Sequence, residues 1–341
     1  PEVITVDMRS AEKAPGSRAI SRVLYEALEE NLKEGRQSIL LINRRGFHTF
    51  AACNHCGAVV SCPYCSISMT YHSANNRLMC HYCGHSVPFS SVCPECGEDA
   101  VRYSGFGTQK IESELAALLP QARVVRMDTD STAGKNSHEK LLDSFANGEY
   151  DIMIGTQMVA KGLNFPNVTL VGVVSVDQQL YNDDFRSLEK TFSLLTQVVG
   201  RSGRGELKGK AIIQTLTPEN EVIRLAARQD YDAFFDTEIR LRRALVYPPY
   251  CDLCVVGFTG TDETVVKTAA RNALELLKRY LAGEFKGEKA IILGPMPARV
   301  AKVSGKFRYR LIIKCRNTGG MRRLISRLLI ETGEDSRFSK V

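Results

Sequence analysis

No run of eighteen apolar residues occurs in this 341-residue sequence; the nearest approach lies around residues 168–176. A membrane-spanning helix needs about twenty, so no membrane role is expected. The first residues show neither a basic-then-apolar leader nor an amphipathic presequence, which points to the cytoplasm. A phosphate loop of the form Gly-x4-Gly-Lys-Ser/Thr is also missing, because Gly134-Lys135 has Thr129 where the first glycine should stand. No Asp-Glu-x-His box follows a strand, so the chain lacks the usual ligands of magnesium and ATP. Gly105-Phe106-Gly107-Thr108-Gln109 lacks the third glycine of a dinucleotide fingerprint, which excludes a nicotinamide enzyme. Internal repeats and low-complexity tracts are absent as well.

What is present bounds the answer further. Apolar residues make up 44% of the chain, enough for two or three domain cores at this length. The net charge of +7 permits nucleic-acid binding without demanding it. Pro1 leads directly into a strand-like stretch at residues 3–6, as expected of a piece cut from a longer protein. Buried-strand patterns recur at residues 38–43, 123–127, 151–155, 168–175 and 211–216. Helical patterns at 17–33, 110–119, 137–146 and 187–199 separate them. Such alternation predicts an α/β fold with a parallel sheet covered on both faces and ligand loops at the carboxyl ends of its strands.

Residues 49–100 interrupt this rhythm. Eight of the eleven cysteines fall there, in four Cys-x2-Cys pairs: Cys53/Cys56, Cys62/Cys65, Cys80/Cys83 and Cys93/Cys96. Each spacer lets two sulfurs face one tetrahedral ion, so four pairs make two zinc sites. Three pairings of intact pairs are possible. The short stretch between Cys65 and Cys80 suits a hairpin closing on itself, which favours a nested arrangement. One ion then takes Cys62, Cys65, Cys80 and Cys83; the other takes Cys53, Cys56, Cys93 and Cys96 and ties the ends of the module together. With every ligand a thiolate and no position open, both sites are expected to be structural. His55, His81 and His85 lie beside ligands, but four complete pairs leave them no vacancy. Cys251, Cys254 and Cys315 are expected in a core.

Two loops carry chemistry. Gln197-Val198-Val199-Gly200-Arg201-Ser202-Gly203-Arg204 ends a helical pattern with two arginines among glycines. A guanidinium fork of this kind can stabilise charge on a phosphate in flight. Ile154-Gly155-Thr156-Gln157-Met158-Val159-Ala160-Lys161-Gly162 follows a strand at its carboxyl end. Together they resemble motifs V and VI in the second, RecA-like lobe of superfamily 2 helicases. With Asn43-Arg44-Arg45-Gly46-Phe47, Asp184-Phe185-Arg186-Ser187-Leu188-Glu189 and the four cysteine pairs, the sequence resembles the primosomal protein N′ (PriA) family of replication-restart DNA helicases.

After residue 216 the rhythm changes to a long helical pattern that reaches Leu245 and breaks at Tyr247-Pro248-Pro249-Tyr250, so a new domain is expected from about residue 220. With the resemblance this gives a helicase lobe in two parts (1–48 and 101–219), a double zinc-ribbon insertion (49–100) and a small α+β C-terminal domain (220–341). The resemblance implies an ATP-driven, 3′-to-5′ DNA motor that recognises stalled or branched forks and helps reload the replication machinery. In the matching positions Arg201, Arg204 and Gly200 would meet ATP, and Gln197 would sense it. Thr156, Gln157 and Lys161 would contact DNA, and Thr108 at a helix N-terminus could hold a phosphate. Magnesium and ATP would be held mainly by the other lobe, so this chain alone is expected to be inactive as an ATPase. Expected partners are branched and single-stranded DNA, the acidic tail of single-stranded DNA-binding protein and other primosome proteins, with the chain a nucleoid-associated bacterial monomer.

Residues 299–316 hold seven basic residues and no acidic one. Lys306, Arg308 and Arg310 alternate with Phe307, Tyr309 and Leu311, which puts the charges on one face of a strand and makes them candidate DNA contacts. Asp177 is a candidate member of the cleft. Arg322, Arg323 and Arg327 are candidates for the acidic tail.

Overall fold

Apolar runs too short for helices become strands, and the amphipathic segments between them cover the resulting sheet. The computed structural model describes residues 2–42, 49–63, 68–72, 76–80, 84–103, 108–127, 137–155, 165–182, 184–200, 209–338 and 341. In chain order the elements are β1 (Glu2–Asp7), α1 (Arg22–Lys33), β2 (Gln37–Ile42), β3 (Thr49–Cys53), β4 (Thr70–His72), β5 (Arg77–Met79), β6 (Ser86–Pro88) and β7 (Val101–Tyr103). There follow α2 (Thr108–Leu118), β8 (Val124–Met127), α3 (Ser137–Ala146), β9 (Ile152–Gly155), β10 (Val168–Ser175), α4 (Asp177–Leu180), α5 (Ser187–Val199) and β11 (Lys210–Thr215). The last are α6 (Glu221–Arg228), α7 (Tyr231–Ala244), β12 (Asp252–Gly260), α8 (Glu263–Ala282), β13 (Ala290–Val303), β14 (Lys306–Cys315) and α9 (Gly319–Glu334).

Six strands pair in parallel in the order β1-β11-β10-β2-β9-β8. Both faces are dry, as a parallel sheet requires. Along β2, Ile39 and Leu41 point into a core with Phe145, Phe192, Leu195 and Val198, supplied by α3 and α5. Leu40 and Ile42 point the other way, into a core with Leu24 and Leu28 of α1 and Ile111 and Leu115 of α2. A side chain at Gly172 of β10 would lie 2.6 Å from Leu40 and 2.9 Å from Leu24, so glycine there lets α1 come down onto the sheet.

Two helix ends differ from the sequence pattern for local reasons. The first helix begins at residue 22 because the Ser17 hydroxyl accepts the Ala19 and Ile20 amides, and Ser21 then caps the Leu24 amide. The long helical pattern after residue 216 breaks at Gln229, whose φ of 57° is left-handed and ends α6.

The chain divides into two compact units: residues 1–60, 70–76 and 89–235, and residues 61–69, 77–88 and 236–341. The sequence pattern placed the last domain from residue 220. Val222, Ile223 and Ala226 of α6 instead bury themselves in the first unit's core, together with Phe234 of α7. The cysteine-rich stretch, which shows little periodicity, forms short strands. In the first unit β3 pairs antiparallel with β4 and β7; in the second, β5 pairs with β6.

The second unit also contains the antiparallel sheet β12-β14-β13. Val256, Phe258, Leu311 and Ile313 pack against Ala270 and Leu277 of α8 and Leu324 and Leu328 of α9, with Cys315 among them and Cys254 at the margin. Lys314, 2% exposed, donates to the Leu245 carbonyl at 2.7 Å and lies 3.7 Å over the Tyr247 ring. It thereby caps the carbonyl end that follows α7. No helix among the described residues is long and apolar enough to cross a membrane.

Candidate metal centre and nucleic-acid face

Cys53 ends β3 and Cys56 lies on the turn after it, while Cys93 and Cys96 lie on a second turn before β7. The four sulfurs all lie within 4.8 Å of one another. Cys53 Sγ is 3.7 Å from Cys96 Sγ, and Cys56 Sγ is 3.7 Å from Cys93 Sγ. A tetrahedral zinc thiolate with legs of about 2.3 Å has edges of about 3.8 Å, so the two distances fit a zinc ion. This is the outer half of the nested pairing. His55 is exposed and is not in the group; its backbone N–H instead donates to Cys53 Sγ at 3.4 Å, as the Cys56 N–H does at 3.5 Å.

The turns share a design. Gly57 has φ of 77° and donates to the Cys53 carbonyl at 2.9 Å, while Cys53 donates to the Ala58 carbonyl at 2.8 Å. Gly97 has φ of 78° and repeats both bonds, to Cys93 and from Cys93 to Glu98. Gly84, φ 79°, does the same with Cys80 and His85. Positive φ after the second cysteine folds the backbone over so that the amides face the sulfurs. The signal for these glycines was legible as Cys-x2-Cys-Gly in three of the four pairs. Within the inner set Cys62 and Cys80 are buried; Cys65, Cys83 and His81 lie outside the described residues.

Electrostatics point to a cation. Burial raises the Cys53 thiol, but the amides of Cys56 and His55 outweigh it and bring the group down to about 7. At Cys96 a bond with the Glu98 backbone favours the thiolate, yet burial and the sulfurs of Cys56, Cys93 and Cys53 push it up to about 12. Four thiolates this close ionise together only when a metal neutralises them.

Of the motor-type residues, Gln197 is exposed on the last turn of α5, and Gly200 caps that helix, its N–H donating to Thr196 and Val198. Arg201 and Arg204 lie outside the described residues, as do Thr156, Gln157 and Lys161, which follow directly on the carboxyl end of β9. The segments 43–47 and 105–107 also lie outside them, while Thr108 is the first residue of α2. Asp177, at the carboxyl end of β10, is 3% exposed. It accepts from Thr215 Oγ1 at 2.6 Å, from Thr217 Oγ1 at 3.3 Å and from the Leu216 amide at 3.2 Å. Burial pushes its carboxyl up, against those hydrogen bonds. Asp177 knits β10 to β11 and has these internal partners.

On β14, Lys306 and Arg308 are exposed and Arg310 is half-buried, while Tyr309 and Leu311 turn to the core. Arg308 stands beside Thr259 and Arg310 beside Gly257 of β12, and a Cβ at Gly257 would meet nothing within 4 Å. Lys302 lies 4.3 Å over the Phe307 ring. On α9, Arg322 bonds Asn317, and Arg327 bonds Glu331 and Glu284 while lying 5.0 Å over Tyr280. Arg323 is exposed.

Three family models match: "Primosomal protein N C-terminal domain" at residues 243–339, "PriA DNA helicase Cys-rich region (CRR) domain" at 62–88, and "Helicase conserved C-terminal domain" at 104–206. The Replication restart protein PriA of Bacillus subtilis is 47% identical over 330 residues, 96% of this chain and 40% of that protein. Its namesake from Synechocystis is 42% identical over 92% of this chain and 38% of that protein. The chain thus spans about two fifths of the length of the curated relatives it matches. Among solved structures, RecG bound to a three-way DNA junction aligns at TM-score 0.37 and 13% identity over 70% of this chain and 21% of that chain, too loosely to bear on function.

Proposed function

The chain belongs to the PriA family of replication restart proteins, and from that premise we propose that it is the second motor lobe, zinc module and C-terminal domain of an ATP-dependent, 3′-to-5′ DNA helicase. In this reading the whole protein recognises stalled or branched forks and helps reload the replication machinery in the bacterial cytoplasm, at the nucleoid. The observation that carries it is the helicase match at residues 104–206, which contains both the 154–162 and the 197–204 sequence motifs. Those are the segments whose resemblance to helicase motifs V and VI implies DNA-backbone and phosphate contacts.

Arg201 and Arg204 stabilise charge developing on the γ-phosphate, and Gln197 at the end of α5 couples that event to movement of the lobe. Thr156, Gln157 and Lys161, next in sequence after β9, hold the DNA backbone; Thr108 adds a helix N-terminus. Two structural zinc ions hold the ribbons. Single-stranded DNA-binding protein and other primosome proteins are its partners, with Arg322 and Arg323 as candidate contacts and the chain a monomer.

Because the phosphate loop and the magnesium ligands are absent from this sequence, the chain alone does not hydrolyse ATP. Mixing it with a separately made first lobe should restore DNA-stimulated hydrolysis, and Arg204→Ala should depress it on the order of a thousandfold. Folded pieces that never yield an Arg204-dependent ATPase, while the chain still binds forks, would reduce it to a zinc-bearing DNA-binding module.

A further inference from the structure

Cys56 is held by more than its own turn. Arg9, just beyond β1, closes on Asp7: Nε reaches Oδ1 at 2.8 Å, Nη2 reaches Oδ2 at 2.7 Å, and the Arg9 amide donates to Oδ1 at 3.0 Å. Its remaining nitrogen, Nη1, donates to the carbonyl oxygen of Cys56 at 2.8 Å, and Nη2 also reaches Glu219 at 3.2 Å. One rigid fork thereby joins the end of β1, the loop after β11 and a metal ligand's own backbone. An ammonium could not make all of these bonds at once.

The turn itself shows how closely Arg9 is seated. A Cβ built on Gly57 would fall 2.3 Å from Arg9 Nη1, 2.6 Å from its Cδ and 2.7 Å from the Leu216 carbonyl. The turn therefore lies flat on the guanidinium and on the end of β11. Gly97, with the same backbone conformation in the facing turn, has nothing within 4 Å. Crowding is confined to the side that Arg9 holds.

We propose that Arg9 is a positioning residue of the outer zinc site, resting on the zinc reading of that centre. It fixes the Cys53–Gly57 turn to the carboxyl ends of β1 and β11, so that two of the four sulfurs stand in place before the metal arrives. Outer partners of this kind commonly change metal affinity by roughly 10–100-fold.

The test compares the unaltered chain with Arg9→Met, Arg9→Lys and, as a control in the same unit, Arg123→Met, which breaks the Arg123–Asp151 pair far from the cysteines in sequence. Each is challenged with a zinc chelator while iodoacetamide labels freed thiols, and mass spectrometry times each cysteine. In Arg9→Met, Cys53, Cys56, Cys93 and Cys96 should be labelled about tenfold faster, with Arg9→Lys intermediate and Arg123→Met unchanged. Asp7→Asn, which loosens the fork without removing it, should act in the same direction more weakly and stands in for Arg9→Met if that variant does not fold. Equal rates in all variants, equal acceleration by the control, or acceleration shared by Cys62 and Cys80 would each overturn the proposal. Metal present at the four cysteines but indifferent to Arg9 removes the proposal alone; no metal there in the unaltered chain removes the zinc reading with it.

Discussion

Asp177 is the buried acid on which the carboxyl edge of the parallel sheet closes, and its charge state carries a measurable consequence. Burial raises its folded pKa above the ordinary 3.8. Relative to the unfolded chain, the folded state therefore holds its proton more tightly, and stability from this group is full below 3.8 and lost as pH rises through the folded value. Asp177→Asn keeps an acceptor for Thr215 and cannot ionise. Urea titrations at stepped pH should show the loss in the unaltered chain and a flatter profile in the variant; parallel profiles would mean that the hydrogen bonds to Thr215, Thr217 and Leu216 fully offset burial. At this scale the sequence was uneven evidence. Cysteine ligands were legible because a two-residue spacer is a local property of the chain. Arg9 was not, because its partner carbonyl lies 47 residues away and nothing in Met8-Arg9-Ser10 marks it. The candidacy of Asp177 rested on its place at a strand end; its hydroxyl and amide partners come from the next strand of the sheet.

Elements were easier to foresee than their company. The strands and most helices of the parallel sheet follow from apolar runs and three-to-four spacing, since both faces of the sheet are dry. What periodicity could not decide was which core α6 joins: its apolar stripe reads the same whichever unit receives it, and only the docking of Ile223 into the first unit's core settles it. On β14 the alternation was plain, and it fixes a prediction. Lys306→Glu with Arg308→Glu reverses two exposed charges without touching Tyr309 or Leu311 beneath. DNA affinity should fall, and the slope of log affinity against log salt should shrink by about one for each phosphate that is no longer neutralised. Circular dichroism should be unchanged; unchanged affinity would remove this face from the DNA-binding surface.

For the molecule as a whole, metal content is the simplest measurement. Elemental analysis of the purified chain should find two zinc ions, one for the described Cys53, Cys56, Cys93 and Cys96 centre and one for the inner set. A single ion or none would reject the double-ribbon assignment. Stripping zinc should unfold the ribbons first, since segments of three to five residues per strand bury too little to stand alone.

The pairing of β3 with β7 has an architectural consequence. Chain that leaves toward Cys56 returns beside itself at Cys93, so the rest of the polypeptide meets a detour whose two ends are already stitched together. Lengthening, shortening or exchanging what hangs between those stitches changes loop entropy only slowly with length. The excursion between them is thereby closed at its base, where β3 and β7 keep each other's register whatever the length of chain beyond.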